Sequence, residues 1–68
     1  MTPPDDLLTE LRASRTDLAR FVEAACCSEL PYIVVRSQAV VAWEEREPLV
    51  WKKVSEWLAE QGRSFVQI

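Results

Sequence analysis

Glu44, Glu45 and Glu47 are the only cluster of side chains in this 68-residue sequence with the composition of a catalytic or metal site. Carboxylates so placed can ligate magnesium or act as general acid and base, provided that they converge and that their surroundings shift their proton affinity. A simpler cause is at hand. Pro48 follows them, and acids collect ahead of a helix whose unpaired N–H groups and dipole attract negative charge. With no histidine and a single glycine, the chain lacks an imidazole base, a Gly-rich phosphate loop and a nucleophile signature. The expectation is a protein that is not an enzyme and takes no cofactor or metal.

The thiols of Cys26 and Cys27 are the next candidates. Adjacent α-carbons lie about 3.8 Å apart, whereas a disulfide prefers about 4.4 to 6.8 Å, and two neighbouring cysteines cannot supply the four convergent ligands of a zinc site. Helical spacing puts Cys26 on an apolar stripe and Cys27 opposite it. A redox switch or an intermolecular disulfide through Cys27 competes with the plainer reading of small apolar residues near a helix end.

Arg12, Arg15 and Arg20, with Thr16, share one side of the first predicted helix and form a nucleic-acid candidate. Should that helix break at Ser14, Ser14 to Ala25 resembles a helix-turn-helix, with a following hairpin as its wing. Three arginines make at most about three phosphate contacts. Asp17 and Glu23 interrupt the patch, and the net charge of −3, from 8 basic and 11 acidic residues, opposes broad attraction to polyanions. The three tryptophans point elsewhere. Trp51 and Trp57 lie at opposite margins of one apolar arc, where a large aromatic can be half core and half contact surface. Trp51 and Trp57, with Leu8 and Phe21 on the first helix, are therefore the candidate partner-binding residues, beside the reading that all such rings fill a small core.

The elements that would position these groups can be read from the period of the apolar residues. Val50, Trp51, Val54, Trp57 and Leu58 fall within an arc of roughly 120°, Pro48 suits a first helical position, and Gly62 suits a left-handed helix end. Leu7, Leu8, Leu11, Leu18, Phe21, Val22 and Ala25 keep one phase across Ser14, which predicts an unbroken first helix from Pro3 to Cys27, with Thr2 as cap. Ser14-Arg15-Thr16-Asp17 is the competing break, a capping box with Asp in place of Glu or Gln. After Pro31, Tyr32 to Arg36 and Ala39 to Trp43 read as two strands joined at Arg36-Ser37-Gln38, although that turn lacks the usual Asn-Gly or Asp-Gly; a helix from Gln38 to Arg46 capped by Ser37 is the alternative. Ser64 to Ile68 reads as a last strand. The expected architecture is α/β: a single domain over 1–68 in the order helix-strand-strand-helix-strand, both helices on one face of a small mixed three-stranded sheet.

A continuous helix from Pro3 to Cys27 would be about 37 Å long, against a diameter of about 28 Å for a compact chain of this size. The overhanging stripe asks for a second copy, so a homodimer is expected. The acidic N-terminus lacks a signal-peptide pattern and no stretch is long and apolar enough for a bilayer. These features describe a small acidic cytoplasmic module, without a membrane partner, that works by presenting a helix face or a sheet edge, such as that of the terminal strand, to another protein. A winged-helix-like DNA-binding regulator is the alternative.

Overall fold

The computed structural model describes residues 2–68, which form α1 (Asp5–Arg12), α2 (Leu18–Cys27), β1 (Tyr32–Val35), α3 (Ser37–Arg46), α4 (Pro48–Glu60) and β2 (Ser64–Gln67). The order helix, helix, strand thus occurs twice. The fold is mixed α/β, but four helices and a two-stranded parallel sheet stand in place of two helices and a three-stranded mixed sheet.

α4 forms where its sequence marks both ends. Pro48 sits in the first turn and Val54, Trp57 and Leu58 face the core. Gly62, with φ of 77°, takes the left-handed backbone that closes the helix. Its N–H donates to the Ala59 carbonyl, and the Arg63 N–H donates to the Leu58 carbonyl, both at 3.0 Å. A Cβ at position 62 would meet nothing within 4 Å, so Gly62→Ala carries only the cost of that backbone conformation, about 1 kcal/mol. A melting temperature lower by about 4–8 °C, with an unchanged native near-UV spectrum, is the expected result.

The unbroken helix from Pro3 to Cys27 is in fact two helices. α1 begins at Asp5 with Pro4 in the cap position, so Thr2 does not cap it, and residues 13–17 turn between α1 and α2. Hydroxyls make the break. Ser14 Oγ accepts the Thr16 N–H and Thr16 Oγ1 accepts the Leu18 N–H, each at 3.3 Å. Side chains thereby take donors that a continuous helix would direct to carbonyls one turn earlier. The apolar phase survives because Leu11 and Leu18 are two helical turns apart in sequence, and both helices turn buried Leu7, Leu11, Leu18, Val22 and Ala25 into one core. With the break, the chain has a radius of gyration of 11.0 Å and extents of 28 × 26 × 17 Å. No described helix overhangs, and the length argument for a homodimer no longer applies.

The hairpin across Arg36-Ser37-Gln38 is also absent. Tyr32–Val35 is extended, but Ser37–Arg46 is helical. Val40 and Trp43, three positions apart, are 5% and 2% exposed while Val41 is 51% exposed; helical spacing governs, and burying the indole outweighs a strand preference of a few tenths of a kcal/mol per residue. β1 finds its partner late in the chain. β2 lies parallel to it, with Ile33 opposite Phe65 and Val34 opposite Val66. The Ser37 N–H donates to the Ile68 carbonyl, and the Ile68 N–H to the Val35 carbonyl, both at 3.0 Å. Ser37 is thus both the last rung of the sheet and the first residue of α3.

The helices bury Ile33 and Val35, with Phe65 half-buried beside them, on the inner face of the sheet. Phe21, Trp43, Trp51 and Phe65 form one aromatic cluster, with neighbouring ring centroids 5.0 Å apart for Phe21 and Trp43, 5.1 Å for Trp43 and Trp51, and 5.4 Å for Trp51 and Phe65. The Arg63 guanidinium donates to the carbonyls of Ala25 and Ser28, where the open end of α2 favours a cation. No described helix is long and apolar enough to cross a membrane.

Candidate functional site

The acidic run does not converge. Glu44 and Glu45 are exposed, and among the described residues no group of three or more potential ligands is placed to hold a metal ion. Glu47 lies at the junction of α3 and α4 and turns back to the break in the first helix. Its Oε2 accepts the hydroxyls of Thr16 at 2.6 Å and Ser14 at 2.8 Å, and its Oε1 accepts the Arg15 N–H at 3.1 Å. The Thr16 hydroxyl above all holds this carboxyl below the usual glutamate range; partial burial opposes it, and Ser14 and the Arg15 amide add to it. Trp43 Nε1–H donates to Asp17 Oδ1 at 3.1 Å and makes a second tie to the same turn. Glu47 is therefore the clasp of a turn, a role hidden in sequence because its partners lie more than thirty positions earlier.

The other candidates scatter. Trp57 is 8% exposed and belongs to the core. Phe21 and Trp51 are half-buried in the aromatic cluster. Leu8 lines a groove of about 680 Å³ between α1 and α2 together with Arg12 and Arg20. Arg15 is exposed, and the hairpin that was to serve as a DNA-binding wing is replaced by α3. Both cysteines are free; Cys27 is exposed, whereas Cys26 is half-buried and burial pushes its thiol pKa up. A disulfide reagent at pH 8 should label Cys27 first, with Cys26 slower by on the order of tenfold, and Cys27→Ser should remove the fast phase.

The surface that stands out most is foreseen only in part: the sequence leads to a contact edge on the last strand, whereas it fills the edge of β1 with a third strand. Parallel sheets are normally covered on both faces. Here the helices cover one, and the other presents Tyr32, Val34, Val66 and Ile68, exposed by 45%, 52%, 44% and 71%. One edge is open as well. The Ser64 N–H donates to the Pro31 carbonyl at 3.2 Å and the Ile68 N–H to Val35, so the odd-numbered residues of this stretch bond to β2. Alternate residues of a parallel strand point to opposite edges. Tyr32 and Val34 accordingly aim their N–H and C=O groups at the far edge of β1, where no described strand lies. Two clefts follow that edge beside α2, one of about 260 Å³ bordered by Ala24, Ser28, Leu30 and Tyr32, the other of about 330 Å³ bordered by Asp17, Arg20 and Arg36. Phe21 and Val34 line both, which makes them one trough.

No protein-family model matches this chain, and comparison with curated proteins and with solved structures yields no match.

Proposed function

We propose that this chain is a small non-enzymatic interaction module that acts on another protein through the free edge and open face of its sheet, as an accessory or regulatory factor inside the cell. One observation carries the reading: Tyr32, Val34, Val66 and Ile68 form an uncharged apolar patch on a parallel strand pair whose outer face no described element covers. In an acidic chain of net charge −3, such a neutral patch is where a partner can dock with little loss of charge solvation.

A photo-crosslinking amino acid at Val34 or Val66, with Glu45 on exposed α3 surface as control, tests this in the cells that make the protein. A discrete protein adduct from Val34 or Val66 and none from Glu45 is expected. No adduct, or equal adducts from all three positions, rejects the reading. An adduct with the mass of two chains makes the partner a second copy, and light scattering at tens of micromolar then decides the homodimer, which a one-chain mass rejects. Retention on duplex DNA at low salt, lost as salt rises, is the result that would favour the Arg12, Arg15 and Arg20 surface instead.

A further inference from the structure

We propose that the trough between α2 and the free edge of β1 receives an extended, carboxylate-bearing peptide segment of another protein, which adds to β1 as a new strand. This rests on the interaction reading above and specifies the partner's chemistry.

The main chain supplies the first argument. Tyr32 and Val34 offer two N–H and two C=O groups along an edge where no described strand lies, spaced about 6.6 Å apart as every second residue of a strand is. An added strand satisfies such groups with its own backbone, independent of its side chains. The wall of α2 supplies the second. Ala24, Ala25 and Ser28 are small and leave room beside the strand, while Phe21 and Val34 give an apolar lining common to both halves of the trough.

Charge supplies the third and fixes the class of peptide. The half bordered by Ser28, Leu30 and Tyr32 has no charged side chain along it, whereas the other half carries Arg20 and Arg36. Among the described residues the one ion pair is between Lys53 and Glu10, so neither arginine is neutralised by an ion pair. Asp17 borders the same half, its Oδ1 occupied by the Trp43 indole. Two cations against one anion make this end positive in a chain that is negative overall. A segment with three or four apolar or β-branched residues beside an acidic one matches both halves, the guanidinium groups taking the carboxylate in forked hydrogen bonds.

The test is selection of a displayed library of random peptides of about twelve residues on the full chain, followed by synthesis of the most enriched one. Enriched sequences should join a run of Val, Ile, Thr, Tyr or Phe to an Asp or Glu. The synthetic peptide should slow amide exchange at Tyr32 and Val34 by about tenfold or more. Val34→Pro removes one edge N–H and spares the bonds to β2, which use Pro31, Ile33 and Val35, so it should weaken binding about tenfold. Should that variant not fold, Arg20→Glu with Arg36→Glu serves: it should weaken the acidic peptide about tenfold and lose nothing toward a lysine-substituted version. No enriched sequence, enriched sequences without an acid, or protection away from Tyr32 and Val34 overturns the trough. Adducts from Val34 or Val66 alongside that result would leave the broader interaction reading standing, and their absence would remove both.

Discussion

Trp43→Ala should leave the chain largely unfolded in water at 25 °C. Trp43 is 2% exposed and touches the aromatic rings of Phe21 and Trp51, and truncating so large a buried ring costs about 3–5 kcal/mol. A domain of this size holds only about 3–10 kcal/mol in all, at roughly 0.05–0.15 kcal/mol per residue. The same substitution frees Asp17 from the indole N–H, so the turn before α2 loosens while the core opens. Urea denaturation followed by circular dichroism should show no cooperative transition, or one with its midpoint near zero denaturant. Trp43→Phe separates the two effects. It keeps a ring in place but drops the hydrogen bond, with an expected loss of about 1–2 kcal/mol, and a loss as large as that of alanine would show that the indole N–H, not the ring, secures the site.

Glu47→Ala should be the next most damaging change, at about 2 kcal/mol. Three hydrogen bonds to one carboxylate are lost together, each of the charge-assisted kind, discounted because the group keeps contact with water. The turn it clasps would be left with Ser14 and Thr16 hydroxyls bonded only to each other and to local backbone. Glu47→Gln gives the electrostatic part by itself. Because the folded carboxyl titrates below its ordinary value, its ionised form adds stability in full above the unfolded pKa, about 4.3. That contribution disappears as pH falls through the lower folded value. The gap in unfolding free energy between the native chain and the Gln variant should therefore be widest near neutrality and shrink below about pH 4. A gap independent of pH would mean that the hydroxyls bond the amide as well as they bond the carboxylate.

These two residues also show where the sequence was legible and where it was not. α4 could be read because its information is local: Pro48, the spacing of Val54, Trp57 and Leu58, and Gly62 all lie within it. The strands around Tyr32 and Ser64 could be read for the same reason, being β-branched and aromatic at short range. At Ser14 the sequence favours an unbroken helix over the break, since the hydroxyls that open the helix are stabilised by Glu47, far along the chain, and the apolar stripe stays in phase on both sides of the turn. α3 was hidden by Val40, Val41 and Trp43, which favour strands locally. Their fate is settled by the aromatic cluster that Trp43 joins, a tertiary fact that propensity does not contain. Once α3 takes that segment, β1 loses its expected neighbour, so a free edge on β1, unlike the one expected on the last strand, could not have been foreseen from a reading that filled it.

The parallel pairing of β1 with β2 has a consequence for how the molecule is made. Tyr32 waits for Ser64, roughly thirty positions later, and contacts of that separation are closed slowly because the intervening loop must first be ordered. On the growing polypeptide, Ile33 and Val35 are synthesised before Phe65 and Gln67, their partners in the sheet, exist. The first half of the chain cannot complete the sheet by itself, and β1 gains its one strand partner only once the last residues of the chain have been added.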